Sequence, residues 1–228
     1  MIERENLPVG LVVFDNNGTA LDDLHVAYGS VCEIFRAYGV EPPSLYSYRN
    51  EITADFMQFY WEHGIPRSVS GDELNVIRRK YYVDNMSAAS NRQARYRRDF
   101  LPLLRNLRGE LVQLAMCSAE QHVTLVDFLV GANLHRFFAP SMITGSAWPK
   151  KAPFLLELAG KAKISPQRSV YVGDTADDIE AAKEAGFIAV GFAHETGYNT
   201  ERRLVKAQPA FLVDSFAELQ DLLLRSLL

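Results

Sequence analysis

The sequence predicts an α/β fold with a doubly wound, Rossmann-like parallel sheet, on three observations. Short apolar, β-rich runs recur along the chain, each ends abruptly in small polar or acidic residues, and helical patterns separate one run from the next. Strands buried on both faces read as continuous apolar runs, and in a parallel sheet they alternate with helices.

The first run, Leu11-Val12-Val13-Phe14, stops at Asp15-Asn16-Asn17-Gly18-Thr19. A second, residues 111–116, stops at Cys117-Ser118, and a third, Ser169-Val170-Tyr171-Val172, stops at Gly173-Asp174-Thr175. A fourth, Ile188-Ala189-Val190-Gly191, and a short fifth over 210–213 complete the set. Helices are expected at 124–131, with Leu125, Phe128 and Leu129 on one face, and at 154–163, with Leu155, Leu158 and Ala159 behind Pro153. Two more are expected at 177–185, running into Gly186 as a C-terminal cap, and at 216–227.

From about residue 24 to 98 this rhythm breaks into three or four helices with no clear strand. Their apolar faces are Val26, Val31, Ile34 and Phe35, then Phe56, Phe59 and Tyr60, then Leu74, Ile77 and Tyr81. The expected organisation is a core of residues 1–22 and 99–228 interrupted by a helical domain of 23–98.

A chain of 228 residues accommodates one such core and one small accessory domain. Its 48% apolar and 23% charged residues are those of an ordinary globular protein, and a net charge of −4 gives nucleic acid or an anionic membrane no basic surface. No apolar run approaches the roughly 20 residues that span a bilayer; Leu222-Leu223-Leu224 is far too short. Glu3, Arg4 and Glu5 leave no room for the apolar core of a signal peptide, so a cytoplasmic location is expected. Cys32 and Cys117 form no disulfide framework and read as small buried residues. Neither nucleic acid nor a membrane is an expected partner, and a monomer or a homodimer is equally open.

In open α/β sheets the site lies outside the carboxyl ends of the strands. Asp15, Ser118 and Asp174 stand at such ends, and Lys151 precedes a helix, so the four converge on one rim. A carboxylate can attack phosphorus and form an acyl phosphate. Approach to a phosphate dianion needs positive charge, which Mg²⁺ held by carboxylates supplies together with a lysine and a hydroxyl.

These residues resemble the four motifs of the haloacid dehalogenase-like phosphatases. Phe14-Asp15-Asn16-Asn17-Gly18-Thr19-Ala20-Leu21-Asp22 is similar to the first, Met116-Cys117-Ser118 to the second, and Lys151 before Phe154-Leu155-Leu156 to the third. Val172-Gly173-Asp174-Thr175-Ala176-Asp177-Asp178, with Ala181-Ala182 and Ala185-Gly186 behind it, is similar to the fourth. The order and spacing match over nearly the whole chain, and the helical insertion matches the cap domain of the phosphoglycolate phosphatase-like branch. The resemblance implies a small phosphorylated substrate as partner and Asp15 as nucleophile, with Ser118 and Lys151 on the phosphoryl oxygens. It implies Mg²⁺ on Asp15, Asp174 and the main-chain carbonyl of Asn17, with Asp178 ligating or orienting the metal shell. Lys151 is preferred to Lys150 because it is nearer the helix start at Pro153.

One position departs from the pattern. The family's second aspartate, its general acid/base, is Asn17 here, and an amide neither gives nor takes a proton usefully near neutral pH. General acid–base help is typically worth about 10²–10⁴-fold, so Asn17→Asp is expected to raise turnover. The departure also admits a catalytically impaired relative that binds a phosphate ligand or a partner. Carbon–halogen cleavage ranks below both because Asp174 keeps the metal-type carboxylate. Phosphoryl transfer between sugar positions would need the missing acid/base.

Other polar residues have plainer readings. Asp177 complements the dipole of its helix. Arg78, Arg79, Arg92, Arg95, Arg97 and Arg98 form a solvated face, and Arg49 is a better candidate for reading an acidic substrate. His25 and His63 are not ligands, His122 stands near Ser118, and Tyr46, Tyr48, Phe56, Phe59, Tyr60 and Trp61 pack a helical core.

Overall fold

The computed structural model describes residues 8–53, 55–87, 95–148 and 150–227. In chain order, β1 (Leu11–Phe14) leads through β2 (Leu21–Asp22) into four helices, α1 (Leu24–Ala37), α2 (Leu45–Glu51), α3 (Phe56–Glu62) and α4 (Gly71–Ser87). The chain returns by β3 (Arg95–Tyr96) and α5 (Phe100–Gly109). It then alternates β4 (Gln113–Cys117), α6 (His122–Gly131), β5 (Ile143–Thr144), α7 (Ala152–Ala162), β6 (Ser169–Gly173) and α8 (Ala176–Glu184). β7 (Ile188–Phe192), α9 (Glu201–Ala207), β8 (Phe211–Val213) and α10 (Phe216–Leu222) follow, and a π-helical turn, Leu223–Leu227, ends the described chain.

The large sheet has the order β5-β4-β1-β6-β7-β8, with every neighbouring pair parallel. The order reverses direction on either side of β1, which places a topological switch point at the carboxyl ends of β1, β4 and β6. The apolar runs obey the strand period of two. Val12, Phe14, Leu114, Met116, Val170, Val172, Val190 and Phe192 face one apolar layer, while Leu11, Val13, Ala115, Cys117, Tyr171 and Ala189 face the other. In the first layer Phe14 meets Phe100 edge-on at 5.1 Å, Phe100 meets Phe216 at 5.1 Å, and Phe216 stacks on Phe192 at 4.7 Å. This chain of rings fastens α5 and α10 to the sheet; Phe100→Ala is expected to cost about 3–5 kcal/mol.

Helices α1 to α4 build a third apolar cluster of their own around Ile34, Phe35, Tyr48, Phe59, Tyr60 and Leu74. Tyr46, expected in that core, is instead 66% exposed because it lies on the outer side of the short helix α2. Cys32 and Cys117 are buried free thiols. Among the described residues no helix is long and apolar enough to cross a membrane.

Several boundaries differ from the sequence reading. The run at 111–116 does not begin at Leu111, which is 92% exposed with φ 61° in the turn after α5. The stretch expected to hold no strand contains β3, which pairs antiparallel with β2 through only two residues on each side, too short to show a period. The edge strand β5 and the helices α5 and α9 were not expected; the two-residue β5 carries little periodic signal. The last helix is α-helical only to Leu222. Gly186, at φ 75°, closes α8 as expected. The charged N-terminal residues Glu3, Arg4 and Glu5 lie outside the described residues.

Candidate active site

Asp15, Ser118 and Asp174 converge at the carboxyl ends of β1, β4 and β6, as their positions in the sequence imply, and all three are buried. The Asp15 amide N–H donates to the Val172 carbonyl at 2.9 Å, which ties the start of the loop to β6. Lys151, at the start of α7, donates to Asp15 Oδ1 at 2.8 Å and to Asp178 Oδ1 at 2.6 Å. Lys150 is exposed, so Lys151 is the lysine that reaches the rim.

Asp178 is held from all sides. Thr175 caps α8 by accepting the Asp178 N–H, and Asp178 Oδ2 accepts in return from the Thr175 N–H and hydroxyl. Its Oδ1 accepts from Tyr171 Oη at 3.0 Å as well as from Lys151. Both oxygens are thereby engaged, and Asp178 positions the ammonium.

Asp174 accepts from Thr19 Oγ1 at 2.7 Å and from the Tyr198 N–H at 2.5 Å. Gly18, at φ 78°, lets the loop after β1 pass directly over this carboxylate; any Cβ there would overlap it. Asp177 sits in the first turn of α8.

The electrostatics follow from three buried carboxylates beside one ammonium. Burial pushes Asp15 well above its ordinary value, only partly opposed by Lys151, and Asp178 and Asp174 push it the same way. Burial and then the Asp178 charge raise Asp174 to about 7. Burial alone would lower Lys151, but Asp15 and Asp178 reverse this, so its ammonium stays charged. One carboxylate oxygen from each of Asp15, Asp174 and Asp178 lies within 4.8 Å of the others. An all-oxygen, buried, net-negative donor set of this kind suits a hard divalent cation.

The Asn17 side of the rim is built differently. Asn17 Nδ2 donates to Asp23 Oδ2 and to Tyr82 Oη, each at 2.8 Å. Asn17 Oδ1 accepts from Asn16 Nδ2 at 3.1 Å and lies 3.4 Å from Ser118 Oγ. The fully buried Asp23, the buried Tyr82 and the half-buried Tyr198 were absent from the sequence reading. The adjacent acids Asp22-Asp23 before a helix were the available signal.

The arginine run is not uniformly a solvated face. Arg78, Arg79, Arg95 and Arg98 are exposed, and Arg92 lies outside the described residues. Arg97 overturns the reading: its side chain is only 8% exposed. Its guanidinium donates to the Thr19 and Gly18 carbonyls at 2.8 Å each and to Thr196 Oγ1 at 2.8 Å, and stands 3.4 Å from Asp22. It braces the loop after β1 against the loop after β7. Arg49 reaches the same second loop, donating to the carbonyls of Asn199 at 3.2 Å and His194 at 3.4 Å. His63 pairs with Glu51 at 2.7 Å, His25 is exposed, and His122 Nδ1 accepts from the Gly145 N–H at 3.4 Å.

Fold and site together define an α/β protein with three buried carboxylates and one ammonium at the switch point of a parallel sheet. Residues 12–192 match the family described as haloacid dehalogenase-like hydrolase. The chain is 26% identical to a phosphoglycolate phosphatase of Vibrio vulnificus over 232 residues, covering 96% of this chain and 97% of that one. It is also 26% identical to a phosphoglycolate phosphatase of Pseudomonas putida over 220 residues, covering 92% and 78% respectively. Among solved structures it resembles a hydrolase of this family from Deinococcus radiodurans with bound phosphate and sodium, at TM-score 0.72 and 19% identity over 95% of each chain. A haloacid dehalogenase-like protein of Agrobacterium tumefaciens superposes at TM-score 0.74 with 22% identity, covering 94% of this chain and 96% of that one. The chain belongs to the haloacid dehalogenase-like hydrolase family, in its phosphoglycolate phosphatase-like branch, and by that kinship is a phosphatase-type hydrolase.

Proposed function

We propose that the chain hydrolyses small phosphate monoesters, phosphoglycolate-like compounds among them, through a phosphoenzyme on Asp15, with Mg²⁺ as cofactor and residues 23–98 as a cap over the site. The observation that carries this reading is the Asp15 carboxylate gripped by Lys151 at 2.8 Å beside two further buried carboxylates. In the first step a carboxylate oxygen of Asp15 bonds to phosphorus as the ester P–O bond breaks, and the departing alkoxide or phenolate takes any proton it needs from water. In the second, water attacks the acyl phosphate, inorganic phosphate leaves, and the carboxylate is regenerated.

Lys151 supplies a fixed positive charge where phosphoryl charge develops, and Ser118 Oγ a hydroxyl beside it. Asp15, Asp174 and the main-chain carbonyl of Asn17 would hold Mg²⁺, with Asp178 orienting Lys151. The cation would neutralise phosphate charge so that an anionic nucleophile can approach. Asn17, whose two amide hydrogens go to Asp23 and Tyr82, cannot relay a proton, so leaving groups that depart as stable anions are favoured.

The test is turnover of p-nitrophenyl phosphate and of phosphoglycolate with Mg²⁺ and with chelator. Mg²⁺-dependent release of phosphate is expected, faster for the aryl ester relative to its alkyl counterpart than in relatives bearing aspartate at this position. Equal activity in chelator would refute the metal role. Asn17 favours a second reading, a phosphate-binding protein without turnover. It would show as saturable binding of vanadate with no phosphate released from either ester.

A further inference from the structure

The geometry points to Asn17 and Asp23 as a matched donor–acceptor pair, in which Asp23 is the positioning residue that fixes the Asn17 carboxamide at the rim. This inference rests on the phosphatase reading of the site.

Asp23 is a fully buried carboxylate, and among the described residues no Lys, Arg or His forms an ion pair with it. Neutral donors satisfy it instead. The Gly18 N–H donates to Oδ1 at 2.9 Å, while Asn17 Nδ2 at 2.8 Å, Tyr82 Oη at 2.5 Å and Tyr198 Oη at 2.9 Å all donate to Oδ2. These donors come from the loop after β1, from α4 and from the loop after β7, so one carboxylate joins three separate stretches of chain.

The network fixes the amide of Asn17 in one orientation. Its nitrogen faces Asp23, which only accepts, and Tyr82 Oη, whose own proton goes to Asp23. A flipped amide would set oxygen against oxygen beside the fully buried Asp23, which would lose a donor at a cost. The unflipped amide carries its oxygen toward Asn16 and Ser118. Position 17 therefore calls for a donor. An aspartate there would face Asp23 across 2.8 Å with no donor between the two carboxylates. This reverses the expectation drawn from the sequence, in which Asn17→Asp alone raises turnover. Only the exchange of both residues, Asn17→Asp with Asp23→Asn, keeps a donor opposite an acceptor.

The test is a double-mutant cycle of Asn17→Asp, Asp23→Asn and both together, read two ways. The first is the thermal midpoint in chelator. The second is kcat and KM on p-nitrophenyl phosphate with Mg²⁺. Each single change is expected to lower the midpoint by about 3 °C or more and kcat by about ten-fold or more. KM should stay within about two-fold, and the double variant should recover both midpoint and kcat. Additive losses in the double variant would overturn the pairing. Recovery of the midpoint without recovery of kcat would overturn the positioning role, as would a rise in kcat from Asn17→Asp alone. If the unaltered chain releases no phosphate, the phosphatase reading fails while the thermal cycle still decides the pairing. Should a single variant not fold, Tyr82→Phe removes one hydroxyl without adding charge; it is expected to lower kcat about two- to ten-fold with KM held, and an unchanged kcat would overturn the positioning role.

Discussion

On the Lys151 side of the rim, two buried carboxylates, Asp15 and Asp178, share one ammonium. On the Asn17 side, a buried carboxylate of the same kind, Asp23, is held by an amide, two phenols and a backbone N–H. The first arrangement has a net negative charge that a cation or a phosphate can redistribute. The second is complete in itself, and its strength lies in direction rather than charge. Charged partners therefore mark the part of the site that meets changing charge, and neutral donors mark the part that must keep its shape.

The sharpest way to break this contrast is on the ionic side. Asp15→Asn should abolish phosphate release with the fold intact, since an amide cannot form an acyl phosphate. Residual turnover of p-nitrophenyl phosphate would exclude the covalent route. Asp174→Ala comes next: it should remove the response of activity to Mg²⁺, measured by titrating the ion. Lys151→Met should lower kcat by about 10²–10³-fold. It should also destabilise the protein by about 3–5 kcal/mol in urea unfolding, because two buried carboxylates lose the ammonium they share.

A smaller effect is expected from pH. Burial raises Asp174 from 3.8 to about 7 and also raises Asp15, so the folded chain binds these protons more tightly than the unfolded chain does. The contribution of Asp174 is complete below about pH 4 and is lost as pH rises through 7, and that of Asp15 has the same sign. In chelator these two groups should make the thermal midpoint climb as pH falls from about 8 to 5, and Mg²⁺, which prefers the carboxylate form, should flatten or invert that slope. A slope that Mg²⁺ leaves unchanged would separate these carboxylates from the metal.

The smallest effect belongs to the neutral side. Arg97→Met deprives the Gly18 and Thr19 carbonyls of a donor and should cost about 1–3 kcal/mol of stability. An unaltered unfolding midpoint would show that the loop after β1 needs no brace from the loop after β7.

What was legible in the sequence has a common cause. Asp15, Ser118 and Asp174 each close an apolar run, so a local pattern and one rule about sheet edges bring them together. Lys151 was legible as a helix-start lysine once that rim was drawn. Asp23 was not, because its partners Tyr82 and Tyr198 lie 59 and 175 residues away and no local pattern links them. Arg97 was misread for the same reason. In sequence it is one basic residue in a run, yet its hydrogen-bond partners at Gly18, Thr19 and Thr196 lie 79, 78 and 99 residues away. The strand at Arg95–Tyr96 escaped because two residues cannot display a repeat of two.

That small ribbon has a consequence for how the molecule is assembled. Leu21 pairs with Tyr96 and Asp22 with Arg95, so the chain leaves the sheet and re-enters it through adjacent residues. A segment whose two ends already touch adds no span for the rest of the fold to bridge. The stretch between them behaves as a plug on a two-pin socket: another segment of different length or shape could be fitted between residues 22 and 95 while the six-stranded order of the sheet stays as it is.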